Sequence, residues 1–182
     1  MSGLEAATGI NLRAARRDGG TEALEEAVAQ LFVEWRLPVY RYLLGVIAQS
    51  SLAEDLTQEV FVRLFLDLKK GHEIENIRAW LFRVAHNLAM DQTRRDARLR
   101  PLDESESESH TDPAQPVDQE LLERDSRQAL LATLSPQERR CMELRTEGLR
   151  YREIGEILGI RIPTVQTLLG RAVKKLVDAN DD

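Results

Sequence analysis

The chain is poor in the residues that carry covalent and metal chemistry. Among its 182 residues there is one cysteine and there are three histidines. Cys141 has no partner for an internal disulfide, which suits a reducing compartment, and its ordinary role is a small apolar core residue. His72, His86 and His110 are scattered, set no metal-ligand spacing, and are expected at the surface. No run of about 18 apolar residues occurs, so no segment reads as a membrane span. Residues 1–20 lack the apolar stretch of a signal peptide, so export is not expected. No glycine-rich phosphate cradle and no nucleophile–base grouping is visible. The chain is therefore not expected to be an enzyme: no catalytic, metal or cofactor-binding residue is expected, and no small-molecule substrate. Strand-period segments and internal repeats are missing as well.

What remains is helical. Aromatic residues are 5% of the chain while charged residues are 31%, and Leu, Ala, Glu and Arg dominate, a mix that favours an all-α protein. The formal net charge of −6 argues against a nucleic-acid partner until its distribution is considered. From Asp103 to Asp125 nine acidic residues stand against one base. From Arg78 to Arg100 six arginines face two aspartates, and from Arg139 to Lys175 nine bases face four glutamates. Two basic modules are joined by an acidic strap, and the electrostatic footprint for nucleic acid is local.

Hydrophobic spacing divides the chain as follows. Residues 1–21 mix Gly, Ala, Arg and Asp without a period and read as a loose tail. An amphipathic helix starts at Thr21 with Leu24, Val28, Leu31, Phe32 and Trp35. Pro38 is expected to break or kink it before a second helix through Val39, Tyr42, Leu43 and Val46. Ser51 and Glu54 have capping-box spacing, opening a helix to about Leu68 that buries Leu52, Leu56, Val60, Phe61 and Leu64. Lys69 to Glu75 is a loop. Asn76 caps a long helix to about Arg98, with Ile77, Trp80, Leu81, Val84 and Leu88 inward. Residues 100–117, with three prolines and repeated Ser-Glu, form a flexible acidic linker without a core of its own. A helix resumes near Asp118 with Leu121, Leu122, Leu130, Leu131 and Leu134. Ser135-Pro136-Gln137-Glu138 is a further helix start, its helix carrying Cys141 and Leu144 to near Gly148. Two small helical domains, 22–99 and 118–179, result.

The segment from Leu149 to Leu169 has the pattern of a helix-turn-helix. That motif needs a small residue where two helices cross, a turn residue able to take a left-handed backbone, and apolar residues pinning the second helix. Gly155 answers the first need, Gly159 the second, and Ile154, Leu158, Ile160, Val165 and Leu168 the third. The second helix then presents Thr164, Gln166, Thr167, Gly170 and Arg171 to a major groove. A small helical hairpin without DNA-binding function can carry the same glycine and aliphatic pattern.

Two segments of the first domain ask for more than packing. In Ala53-Glu54-Asp55-Leu56-Thr57-Gln58-Glu59-Val60-Phe61, residues Asp55, Gln58, Glu59 and Val62 recur at i, i+3, i+4 and i+7, a polar stripe that alone reads as a solvated helix face. The helix from Ile77 ends in Asp91-Gln92-Thr93-Arg94-Arg95. An arginine cluster there either holds phosphates or simply complements a helix C-terminus.

Taken in order, AEDLTQEVF, WLFRVAHNLAMDQTRR, an acidic linker, LSPQERR and a helix-turn-helix resemble bacterial RNA polymerase sigma factors of the extracytoplasmic-function type. The resemblance runs from about Glu22 to Leu176. It implies a cytoplasmic promoter-specificity subunit with core RNA polymerase, promoter DNA and an anti-sigma protein as partners. Asp55, Gln58, Glu59 and Val62 match the helix that docks on the clamp helices of the polymerase β′ subunit. Asn87, Asp91, Arg94 and Arg95 match the surface that meets the minus-ten element. Lys69 and Lys70 open a loop matching one that accepts a base flipped from the non-template strand, which couples recognition to melting. The linker matches a segment threading the polymerase. The second domain matches the reader of the minus-thirty-five element and the partner of the β flap, with Arg161, Thr164, Gln166, Thr167, Arg171 and Lys174 toward DNA. Here the chain departs from the family pattern. Gln166, Leu168, Gly170 and Val173 stand where Lys or Arg, Arg, His or an aromatic, and Arg are usual, so fewer phosphate contacts are expected. Gln166 keeps the capacity for a bidentate contact to adenine, and Arg171 for a contact to guanine or phosphate. The same residues admit two other readings: a stand-alone helix-turn-helix regulator, and a sigma-like decoy that engages an anti-sigma protein or polymerase without initiating. A nucleic-acid-processing enzyme is more distant.

Overall fold

The computed structural model describes residues 20–99 and 133–179. Among the described residues there are six helices and no strand. The chain divides into two compact units, residues 1–110 and 111–182. The tail before residue 20, the acidic linker, the helix expected near Asp118 and His110 lie outside the described residues.

The first unit contains α1 (Gly20–Ile47), α2 (Ser50–Lys69) and α3 (Ile77–Leu99), each packed on the other two. Sequence spacing suggested a break at Pro38, yet α1 runs unbroken through it. An interior proline costs about 3 kcal/mol in a lost hydrogen bond and a ring clash. The residues on both sides, Leu31, Trp35, Val39, Tyr42 and Leu43, are all buried. Each contributes about 1.5–3 kcal/mol on leaving water, which outweighs that cost when the helix stays whole. Ala48, with a left-handed φ of 58°, turns the chain sharply into α2. That helix begins one residue ahead of the expected Ser51 cap: Gln49 is the N-cap residue, and no side chain caps it. The start of α3 follows the sequence reading, since the Asn76 side-chain oxygen accepts from the Ala79 amide at 3.1 Å.

The buried face of α3 is rotated from the expected one. Ile77, Leu81 and Leu88 are buried, but Phe82, Ala85 and Ala89 occupy the centre, while Trp80 and Val84 are only half-buried. An indole carries a donor that favours a boundary position, whereas a phenyl ring does not. Phe82 meets Tyr42 edge to face at 5.5 Å between centroids. His86 also departs from its expected surface position. It is buried, and its Nδ1 shares a hydrogen bond of 2.8 Å with the Tyr42 hydroxyl.

The second unit contains α4 (Pro136–Thr146), α5 (Tyr151–Leu158) and α6 (Ile162–Asp178). Ser135 and Glu138 form the expected capping box: the Glu138 amide donates to Ser135 Oγ at 3.3 Å and the Ser135 amide to Glu138 Oε2 at 2.8 Å. The same carboxylate binds Lys175 Nζ at 2.7 Å, tying the start of α4 to α6. That ammonium, with the amide of Ser135, holds the Glu138 carboxyl down at about 2 from its ordinary 4.5. Cys141, Leu144, Leu149, Ile154 and Val165 fill the core. Burial pushes the Cys141 thiol up to about 11, so it stays protonated and packs as an apolar group.

Candidate nucleic-acid interface and docking faces

The turn between α5 and α6 is built on two glycines, for two different reasons. Gly159 ends α5 in a left-handed conformation, φ 66° and ψ 31°, which strains any residue bearing a Cβ. Gly155 is needed for space. A Cβ on it would sit 2.8 Å from the carbonyl oxygen of Ile160, and the Ile160 amide closes the turn by donating to the Gly155 carbonyl at 3.0 Å. Val165, Leu168, Leu169 and Ala172 bury the inner side of α6. Of the pinning residues read from the sequence, Ile154, Val165 and Leu168 are buried, and Leu158 and Ile160 half-buried. Upstream, the Arg145 guanidinium donates to the Leu149 carbonyl at 3.0 Å and lies over the Tyr151 ring at 5.6 Å, bracing the α4–α5 connection.

This scaffold leaves one side of α6 open. Arg161, Thr164, Gln166, Thr167, Arg171 and Lys174 are all exposed. Among the described residues, Arg161, Arg171 and Lys174 pair with no carboxylate, so their charge is available to an anionic partner. The Thr167 hydroxyl donates to the Pro163 carbonyl at 3.0 Å, which fixes its rotamer. Around the helix from these cations, Ile162, Val173 and Val177 are 42%, 52% and 54% exposed, and a Cβ on Gly170 would meet nothing within 4 Å. Of the four departures from family pattern, Gln166, Gly170 and Val173 lie on the surface, Gly170 and Val173 presenting a gap and an aliphatic side chain, while Leu168 is buried against the core of the unit.

The first unit offers two further faces. On α2, Asp55 and Gln58 are exposed and Glu59 is half-buried, its carboxylate held by Arg63 at 2.8 Å. Val62 and Leu66 continue the stripe at 52% and 45% exposure. The face is acidic toward the helix start and aliphatic toward its end, a composition that suits protein contact better than plain solvation. Leu66 was not part of the sequence reading, though its i+4 spacing from Val62 would have found it. At the end of α2, Lys69 and Lys70 are exposed, Lys69 lying 5.6 Å above the Phe65 ring. Lys69 is the last residue of α2, not the first of the loop. The loop itself turns at Gly71, φ 91°.

On α3, Asn87, Asp91, Arg94 and Arg95 are exposed. Asn87, Asp91 and Arg94 share one stripe, and Arg83 and Arg98 extend it at both ends, also exposed. The five positions recur at i, i+4, i+8, i+11 and i+15, directly opposite the buried Phe82, Ala85 and Ala89. Arg95 sits to one side. Arg94 pairs with Asp91 at 3.3 Å across exposed atoms, a contact that contributes little and is easily exchanged for a phosphate. Arg83 and Arg98 were missed by sequence reading, which stopped at the Arg94-Arg95 pair instead of following the helical period in both directions. Among the described residues no group of three His, Cys, Asp or Glu side chains is placed to hold a metal ion, and no helix is long and apolar enough to cross a membrane.

A helix-turn-helix with unpaired cations on its second helix defines a DNA-binding unit, here on the same chain as a three-helix unit with an acidic-aliphatic face and an arginine stripe. Comparison with known proteins sharpens that class. Residues 31–99 match the family model for sigma-70 region 2, and residues 125–176 that for sigma-70 region 4. The chain is 33% identical over 166 residues to the ECF RNA polymerase sigma factor SigL of Mycobacterium tuberculosis, covering 88% of this chain and 93% of that protein. It is 34% identical over 146 residues to the ECF RNA polymerase sigma factor SigE of Mycolicibacterium smegmatis, covering 77% of this chain but 56% of SigE, so it spans little more than half of that relative. The fold is similar to that of the sigma factor RpoE of Bartonella quintana, solved with the anti-sigma factor NepR. The TM-score is 0.62 at 21% identity, over 84% of this chain and 96% of the other. The chain belongs to the sigma-70 family, in its extracytoplasmic-function group.

Proposed function

We propose that this chain is the promoter-specificity subunit of a bacterial RNA polymerase, acting in the cytoplasm and supplying recognition and strand opening while the polymerase makes the bonds. The observation that carries the reading is the combination on one chain of a region 2 unit with an acidic-aliphatic face on α2 and a region 4 unit with unpaired Arg171 and Lys174 on α6 and unpaired Arg161 at its N-cap. A helix-turn-helix regulator that binds an operator unaided leaves the α2 face without a role.

In this reading the units 22–99 and 118–179 act at separate places. Asp55, Gln58, Glu59 and Val62, with Leu66, dock on the clamp helices of the β′ subunit. Unpaired Asp55 supplies charge complementarity and the aliphatic pair supplies burial. On α6, Gln166 and Thr167 meet base edges, and Arg161, Arg171 and Lys174 meet phosphates, which sets position more than sequence. The α3 stripe takes the minus-ten strand: Asn87 and Asp91 offer polar contacts to bases, and Arg83, Arg94, Arg95 and Arg98 follow the backbone. Lys69 and Lys70 flank the loop that receives an unstacked base, whose extrusion costs a few kcal/mol and is offset by its contacts. The acidic linker, residues 100–117, lies in a polymerase channel built for nucleic acid and yields to it. The second unit also contacts the β flap, and an anti-sigma protein covers these faces when transcription is off.

The uncharged Gly170 and Val173 positions favour one second reading, a sigma-like decoy that binds polymerase or an anti-sigma protein without initiating. Run-off transcription with purified bacterial core polymerase and a library of randomised promoters separates the two. Transcripts that depend on this protein and share two defined elements establish a sigma factor. Core binding without any transcript establishes the decoy.

A further inference from the structure

The packing of α3 raises the question of what sets its rotation. Its inner side is rich in alanine near the middle: Ala85 and Ala89 are fully buried. Apolar burial is non-directional, and at Ala85 and Ala89 there is little side chain to interlock with the neighbouring helices, so the roll of α3 there is fixed by Leu81, Phe82 and Leu88 together with directional contacts. Besides the Arg78 guanidinium, which lies over the Trp35 ring at 5.2 Å near the start of α3, a directional contact stands out near the middle of the helix. Tyr42, on α1, and His86, on α3, are both buried and joined at 2.8 Å across 44 residues of sequence. Phe82, one turn before His86, holds the Tyr42 ring edge to face.

The position of this contact matters. Asn87 is the next residue after His86. Beyond it only Leu88 and Ala89 of the described part of α3 are buried, and none of Asp91–Arg98 is. Among the described residues, the distal half of the helix is anchored in the bundle chiefly from one end. Twelve residues from His86 to Arg98 span about 18 Å at 1.5 Å per residue, so a tilt of about 10° at His86 moves Arg98 by about 3 Å, the length of a hydrogen bond.

Taking the outer stripe of α3 as the promoter-facing surface, on which this inference rests, we infer that the Tyr42–His86 hydrogen bond is a positioning device for promoter opening. It sets the roll and tilt of α3 so that Asn87, Asp91 and the arginines present together to the minus-ten strand. Tyr42 and His86 touch no DNA; they act through the helix.

Binding to core polymerase through α2 and retention of a promoter strand through α3 both need a folded first unit, so their ratio separates positioning from folding. Holoenzymes assembled from purified bacterial core polymerase and the full chain are tested with a fluorescent single-stranded DNA pool, selected beforehand on the wild-type holoenzyme. Tyr42→Phe keeps the ring and removes the hydroxyl. His86→Leu removes the ring nitrogens. His86→Asn keeps an amide near the Nδ1 position that donates or accepts as the tyrosine requires. Tyr42→Phe and His86→Leu should lower strand retention about three- to tenfold, the worth of one hydrogen bond between uncharged groups, with core affinity changed less than about twofold. His86→Asn should recover most of the retention lost in His86→Leu. Equal losses in both assays, no loss in either, or His86→Asn behaving like His86→Leu overturns the positioning role. If the wild-type holoenzyme selects no strand at all, the promoter-binding reading of α3 fails and the inference falls with it.

Discussion

Glu143 makes the second unit sensitive to pH in a direction opposite to most carboxylates. It lies on α4, half-buried, with one carboxylate oxygen that has no accessible surface and no hydrogen-bond partner. Burial raises its pKa from 4.5 to about 7, and Arg139 and Arg140 only partly oppose the rise. Below pH 4.5 the carboxyl is protonated in the folded and unfolded chain alike and stability is unaffected. Between 4.5 and 7 the unfolded chain gives up this proton while the folded unit keeps it, so stability falls as pH rises. Above 7 the folded unit ionises as well and the loss reaches its full value. At about 1.4 kcal/mol for each tenfold difference in proton affinity, that value is about 3 kcal/mol. Glu143→Gln keeps the size of the side chain and removes the titration. It should match the wild type at pH 4.5 and exceed it by about 2–3 kcal/mol at pH 8, a rise of about 2 M in urea midpoint for a unit of this size. Urea unfolding of the full chain, followed through the Leu144 and Val165 amide resonances, reads this unit alone. The comparison with Glu143→Gln cancels every other titrating group. Parallel pH profiles for the two proteins, or a wild type more stable at pH 8, would refute the reasoning.

Charge reversal at Asp55 and Glu59 together should abolish binding to core polymerase in a pull-down while leaving helicity by circular dichroism unchanged, since neither side chain is buried; retained binding removes α2 from the interface. Gly159→Ala should lower the stability of the second unit by about 1 kcal/mol, because the site is left-handed but open in space, with Gly159→Asn losing less in the same unfolding assay. Cys141 should resist alkylation at pH 7.4 in the native chain and react fully in denaturant, as its thiol is inaccessible and its pKa near 11. The Glu138 carboxyl, lowered to about 2 by Lys175 and Ser135, adds stability that is present above pH 4.5 and disappears as pH falls toward 2. Glu138→Gln should therefore flatten the acid limb of the unfolding profile, while an unchanged limb would place its cause elsewhere.

Much of this protein was legible residue by residue, and the legible parts share a physical character. The capping box at Ser135 and Glu138, the Asn76 cap, the left-handed Gly159 and the tight approach at Gly155 each depend on groups a few positions apart. Hydrogen bonds and dihedral limits over so short a span are set before any tertiary contact exists. Which side chains of α6 face outward followed from period alone, as did most of the α2 stripe. Family membership was legible for a related reason: docking faces and helix-turn-helix turns demand particular residues at particular spacings.

Tertiary structure decided the remainder. α1 continues through Pro38 because buried side chains on both flanks outweigh a local penalty that the sequence displays and they do not. α2 starts without the Ser51 cap because its inner face, with Ala53, Val60 and Leu64 fully buried, holds it against α1 and α3. Phe82 displaces Trp80 from the centre, and His86 is buried, because Tyr42 waits on α1. No local rule joins two residues 44 positions apart; only the packed bundle brings the hydroxyl to the imidazole. Period tells which way a side chain points, while the partner it meets there is a property of the folded chain.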